Sequence, residues 1–205
     1  MLGLVGIKLG MTQVYNKEGQ PVPVTVVELP PATVMAVRSK DKDGYVAIQL
    51  ASGSRKEKHL SKADLGQFKK VGIAPARFVA EFRLEDTAGY EVGKALDVSV
   101  FNESKKVTVT GVTKGHGFSG TIKGHGYSRG PETHGSLNVR APGSLGAHTY
   151  PGRVWPGKEL PGHFGVDVQT QKNIQVVQVD LERNLLFLKG ALPGANNGRV
   201  IVRKQ

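Results

Sequence analysis

The sequence predicts a mainly β protein, a barrel or sandwich built from strands at both ends of the chain, with a long irregular glycine-rich extension between them. Three observations predict it. Short runs rich in Val, Ile, Thr and aromatics recur through residues 1–110, punctuated by turn residues. Strand character returns over 166–205, and neither flank looks complete alone. Between the flanks, residues 111–165 hold fourteen of the 27 glycines, five of the eleven prolines and five of the six histidines. One β-domain sharing strands from 1–110 and 166–205, with 111–165 inserted in it, is the economical arrangement.

In chain order, the strand-like runs are Leu2 to Lys8, Met11 to Tyr15, Val22 to Leu29, Thr33 to Ser39, Tyr45 to Ser52, Phe78 to Leu84 and Ala95 to Phe101. Asn16 to Gly19, Pro30-Pro31, Lys42 to Gly44 and Thr87 to Gly89 supply the turns. One helix is predicted, capped by Ser61, with Leu65 and Phe68 on its apolar face. Lys106 to Val112 is a further strand-like run. After the glycine-rich segment, Ile174 to Val179 and Asn184 to Leu188 flank a hairpin turn at Asp180 to Arg183. Asn196-Asn197-Gly198 then leads into Arg199 to Val202.

The middle segment differs in kind. Leu, Ile, Val and Phe make up only nine of its 55 residues, too few to offset the conformational entropy of folding alone. It is also too long for an ordinary loop. It is therefore disordered, a functional loop, or ordered by a partner.

Charge points to that partner. The chain has 28 Lys and Arg against 17 Asp and Glu, a formal charge of +11, which favours a polyanion. In the middle segment Lys114, Lys123, Arg129, Arg140, Arg153 and Lys158 are spread along the length, against Glu132 and Glu159. Phe118, Tyr127, Tyr150, Trp155 and Phe164 lie between them. Glycine lets a backbone approach phosphates closely. Arg and Lys neutralise phosphates and release counterions. Aromatic rings stack on unpaired bases. The mixture suits a strand that follows folded RNA.

Other chemistries are disfavoured. The chain has no cysteine, so disulfides, thiolate metal sites and cysteine nucleophiles are excluded. No apolar stretch approaches the roughly 20 residues needed to cross a bilayer, and the start lacks a signal-peptide core. The expectation is a soluble cytoplasmic protein. Gly115-His-Gly117-Phe-Ser-Gly120 matches a dinucleotide-binding pattern after a strand-like run. That fingerprint needs a helix, which Gly124, Gly126 and Gly130 oppose, and an acid about 20 residues on, where Arg140 stands. His116, His125, His134, His148 and His163 are irregularly spaced and have no paired carboxylates among them, so they suit RNA contacts better than a metal. There is no G-x-S-x-G nucleophile elbow. Arg55 to His59 and Lys69-Lys70 are basic patches, either solvated faces or further RNA contacts.

Several stretches resemble a known family. Gly3-Leu-Val-Gly6-Ile-Lys-Leu-Gly10-Met11-Thr12 is similar to the start of the large-subunit ribosomal proteins of the L-three family, bacterial branch. Val112-Thr-Lys114-Gly115-His-Gly117-Phe118-Ser-Gly120 resembles its central motif. So do Thr133-His134-Gly135-Ser136, Arg140-Ala-Pro142-Gly143-Ser144-Leu-Gly146 and Pro151-Gly152-Arg153-Val154. The run from Val179 to Gly194 is similar to its C-terminal hairpin. The matches follow family order along the whole chain.

The resemblance implies a translation-factor-like β-barrel on the subunit surface and an extension that approaches the peptidyl-transferase region. It implies a structural, non-enzymatic protein of the 50S subunit that binds 23S rRNA near its 3′ end and nucleates assembly. The implied neighbours are the L-fourteen and L-nineteen families, with no membrane and no small-molecule substrate. No cofactor is implied, any structural Mg2+ being carried by the rRNA. The expected rRNA-binding residues are Lys114, His116, Phe118, Lys123, His125, Arg129, His134, Arg140, His148, Tyr150, Arg153, Trp155, Lys158 and His163. Some departures stand out. Ala147-His148-Thr149-Tyr150 has no Gln where some bacterial members carry a methylated one, so no such modification is expected. Asn138-Val139-Arg140 replaces a common Ser-His-Arg and keeps the arginine, while Pro156-Gly157-Lys158-Glu159 replaces a more basic Lys-Gly-Lys-Lys.

Overall fold

A computed structural model describes residues 1–205. The chain forms two compact units, one of residues 1–113 with 168–205 and one of 114–167.

In the first unit, β1 (Gly3–Tyr15) and β2 (Pro21–Glu28) form a long hairpin. Its turn is set by Asn16, whose side-chain oxygen accepts from the backbone N–H of Glu18 and of Gln20. β3 (Ala32–Arg38), the short α1 (Lys40–Asp43) and β4 (Ala47–Ser52) follow. α2 (Lys62–Val71) begins where Ser61 Oγ accepts from the Asp64 N–H at 3.2 Å and stops at Gly72, which takes φ +73°. Next come β5 (Phe78–Arg83), the two-residue β6 (Ala95–Leu96) and β7 (Lys106–Val112). The second unit contains β8 (Gly117–Ser119), α3 (Thr121–His125) and β9 (Gly162–Phe164). The first unit closes with β10 (Val168–Asp180), β11 (Leu185–Lys189) and β12 (Arg199–Lys204).

Six strands form a closed antiparallel barrel in the order β1-β12-β7-β10-β11-β2. Closure removes the sheet edges. It also joins the two ends of the chain, since Gly3 pairs with Arg203 and Leu185 with Glu28. A second sheet runs β5-β4-β3-β6. One apolar core serves both, with Leu4, Val27, Val109, Leu186 and Val202 from the barrel meeting Val34, Ile48, Leu50 and Phe82 from the sheet. Alternation sends Met35 and Ala51 to the other face, where they pack with Phe68 of α2 and Ala76.

Four expectations need correction. The runs Leu2–Lys8 and Met11–Tyr15 are one strand, continuous through a register shift between Lys8 and Gly10. Ala95–Phe101 is strand only over Ala95–Leu96. The Asp97 carboxylate accepts from the N–H and hydroxyl of Ser99 and turns the chain into a 3-10 turn, Val98–Phe101, with Val98 and Phe101 buried. β10 starts six residues before Ile174, because its polar first half pairs with β7 from Val168↔Val112 to Gln175↔Lys106. Finally, one helical turn does form at Thr121–His125 despite Gly124, and Gly126 ends it at φ +74°.

The bulge in β1 is pinned by a buried charge. Lys8 Nζ donates to the carbonyls of Leu192 at 2.9 Å and Gly194 at 3.0 Å. Lys8→Met fits the apolar stem but orphans these acceptors. The expected loss is about 1–2 kcal/mol, seen as a lower urea midpoint with an unchanged slope.

Candidate nucleic-acid interface

All fourteen candidate residues are solvent-exposed, and all lie in the 114–167 unit. None of the buried apolar side chains of the protein comes from this unit. Its order comes from backbone geometry instead. β8 and β9 form a short ribbon in which Phe118 pairs with His163 and Gly117 with Phe164. The His116 N–H donates to the Phe164 carbonyl at 2.8 Å, and the two rings stack with centroids 5.0 Å apart. Gly165 then takes φ +83° and passes directly over the Lys114 carbonyl, where any Cβ would overlap backbone. Val166 follows at φ +61°, a left-handed conformation that costs a β-branched residue strain.

A second cluster forms around α3. His125 Nε2 lies 3.2 Å from the Leu160 carbonyl, and Nδ1 lies 4.0 Å from Glu159. Tyr127 donates its hydroxyl to the Glu159 carbonyl at 3.3 Å. Arg129 pairs with Glu132, three residues along the chain. Glu132 and Glu159 are therefore both engaged by basic candidates. Lys114, Lys123, Arg140, Arg153 and Lys158 stand outside any ion pair.

The aromatic candidates are unusually open. Phe118 is 80 % exposed, Tyr150 81 % and Trp155 53 %. The Arg153 guanidinium sits over the Trp155 ring, 4.9 Å from its centroid, so cation and aromatic surface are presented as one platform. The structure thus brings together Phe118 with His163 and Arg153 with Trp155, and sets His116 on Phe164. It forms no cluster of three or more His, Asp or Glu side chains, so the five histidines do not converge on a metal-like centre. His134, at φ +57°, marks a tight reversal with Gly135 at +73°.

Sequence reasoning missed Leu137, which is the most exposed large apolar side chain at 96 %. Its signal was a lone leucine among Gly, Ser and Asn. Phe164 and Tyr127, aromatics of the same segment, both support candidate histidines from within the unit. The basic patches Arg55–His59 and Lys69-Lys70 are exposed on the first unit. An open array of cations and rings on a glycine-shaped backbone can hold phosphates and stack bases.

The comparisons with known proteins point the same way. The family described as Ribosomal protein L3 matches residues 79–185. A protein of Vibrio parahaemolyticus named large ribosomal subunit protein uL3 is 49 % identical over 204 residues, covering 99 % of this chain and 98 % of its own. One of the same name from Brachyspira pilosicoli is 48 % identical over 200 residues, covering 98 % and 92 %. Another from Brachyspira hyodysenteriae is 46 % identical over 200 residues, covering 98 % and 92 %.

Proposed function

Since the chain belongs to the ribosomal protein L3 family, we propose that it is a structural constituent of the large ribosomal subunit, bound to rRNA through residues 114–167. The observation that carries this reading is the exposure of every candidate cation and ring on a unit that gives nothing to the apolar cores. Exposed rings such as Phe118 and Tyr150 have no cover within the chain, and unpaired bases supply it.

Roles follow from the geometry. Lys114, Lys123, Arg140 and Lys158 neutralise phosphates. Arg153 does so while stacked on Trp155. Phe118, Tyr150 and Trp155 stack on bases. His116, His134, His148 and His163 hydrogen-bond or stack, with His116 already oriented by Phe164. His125 and Arg129 hold local structure through Glu159 and Glu132, and reach RNA only by exchanging those partners. The finer reading is that the RNA is 23S rRNA near its 3′ end and that binding there nucleates assembly. In it, residues 114–167 run toward the peptidyl-transferase region, beside proteins of the L-fourteen and L-nineteen families in the cytoplasmic ribosome. Family resemblance supports these details. The protein performs no reaction; peptide-bond chemistry is left to the RNA.

Binding of purified 23S rRNA across a salt series tests the assignment. Arg140→Ala is expected to weaken binding about tenfold and to lower the salt slope by about 1. Lys17→Ala, in the exposed β1–β2 turn, is expected to leave both unchanged. Equal effects of the two variants count against the 114–167 unit as the anchor. Recovery of the native chain as a free monomer, away from the large subunit, overturns the ribosomal reading itself.

A further inference from the structure

The second sheet of the first unit leaves part of β3 open. β3 pairs with β4 along its whole length, but β6 covers only Ala32 and Thr33 on the other side. The chain after Val92 extends that cover by one residue, since the Val34 N–H donates to the Lys94 carbonyl at 2.9 Å and the Val34 carbonyl accepts from Gly93 at 2.8 Å. Beyond Val34, no strand lies on that edge. Val34 thus turns its backbone groups outward. A register shift follows between Val34 and Ala36, after which Ala36 opposes Gln49 and Val37 opposes Ile48. The antiparallel alternation then turns the N–H and C=O of Val37 outward as well.

A groove of about 660 Å³ lies against this part of β3. It is lined by Met35 to Arg38 of β3, Gln49 of β4, and Gln67, Lys70 and Val71 of α2. Val92, itself exposed, also lines it. The lining is apolar beside the strand and carries two cations, Arg38 and Lys70, with no acidic residue. Asp43 binds one arm of Arg38 from outside the groove at 2.9 Å, while Arg38 Nε is buried and has no hydrogen-bond partner. An unpaired strand edge, an apolar trough and an unmet guanidinium donor are the three features of a site for strand addition.

We infer that the β3 edge accepts one extended polypeptide segment from another protein, added antiparallel or parallel to Ala36–Arg38, with an acidic side chain placed between Arg38 and Lys70. Backbone pairing at Val37 supplies the register. Apolar side chains on one face of the incoming strand fill the trough against Val71 and Val92. RNA suits the groove poorly, because its two cations are flanked by aliphatic side chains and no exposed ring lies in the lining. The inference is independent of the rRNA reading, which rests on residues 114–167.

The test uses the full-length chain and fluorescein-labelled Ac-TVEVTV-NH2, followed by anisotropy. Saturable binding with Kd below ~1 mM is expected. Three changes are expected to weaken it. Methylating alternate backbone amides of the peptide removes the pairing donors and abolishes saturation. Replacing its Glu by Lys, or making Lys70→Glu on the exposed face of α2, costs at least about threefold, as an exposed ion pair should. Val37→Pro removes the outward N–H on an edge position that tolerates proline, and it too is expected to abolish binding. Absence of saturation overturns the inference. So does equal binding of the methylated peptide, or displacement of the labelled peptide by a hexauridine oligonucleotide more readily than by unlabelled peptide.

Discussion

Replacing residues 114–167 by a short Asn-Gly turn is expected to leave a folded protein that has lost most of its affinity for RNA. The register makes the graft feasible, because Val112 and Val168 are directly paired across β7 and β10, and a tight turn can join strands so placed. The energetics make it tolerable. Both apolar cores are built from residues outside 114–167, so the deletion opens no cavity. Cooperative urea unfolding with a slope close to that of the full chain is the expected result. RNA binding should change in a different way. The deleted unit carries six basic and three acidic residues, a net of +3. Counterion release at roughly 0.7–0.9 per neutralised phosphate then predicts a salt slope smaller by about 2, and affinity at physiological salt lower by about a hundredfold. A variant that unfolds non-cooperatively shows that the first unit depends on the second. A variant that folds and keeps the full salt slope shows that the anchor is elsewhere, with the exposed basic patches Arg55–His59 and Lys69-Lys70 as the first place to look.

The sequence carried the parts of this structure that local chemistry decides. Ser61 as a helix cap, Asn16 as a turn former and the Asp180–Arg183 hairpin turn all act within a few residues, and all three are found, with Asp180 accepting from the Arg183 N–H at 3.1 Å. The errors fall where a distant partner or a single side chain decides. The first half of β10 is polar and exposed, and only its pairing with β7 makes it a strand. Val98 to Phe101 has strong β preference, yet one Asp–Ser contact bends it into a turn that buries Phe101. Leu9-Gly10 reads as a break, but a bulge absorbs it and the ladder continues. The interface divides in the same way. Composition marked the segment and its cations. It gave no sign that Arg129 and His125 are engaged by Glu132 and Glu159, or that Arg153 lies on Trp155, because those pairings depend on how the glycines fold the backbone.

Glycine also decides the barrel, and a paired substitution isolates how. Gly6→Ala is expected to destabilise the protein by about 3 kcal/mol, whereas Gly10→Ala, four residues along the same strand, should fall within about 0.5 kcal/mol of the parent. Both residues sit in β1 and the chemical change is identical. At Gly6 an added Cβ would overlap the carbonyl oxygen of Glu28 and the end of the Leu29 side chain. The Leu29 side chain is fully buried, so it has no free space to enter. The Glu28 carbonyl cannot retreat either, because Glu28 is paired on one side with Ile7 and on the other with Leu185. Moving it breaks two ladders of a closed barrel at once. At Gly10 the nearest atom to an added Cβ is the Asn196 side-chain nitrogen, 3.9 Å away, an ordinary contact. Its backbone is not in the left-handed region, so alanine there should narrow the unfolded ensemble at little cost to the fold. Urea midpoints of the two variants measure the difference. With a total stability of the usual 5–15 kcal/mol, the Gly6 variant would lose a fifth or more of it. Similar midpoints for both variants would show that the barrel yields at Glu28, and that close approach between β1 and β2 is not what requires glycine there.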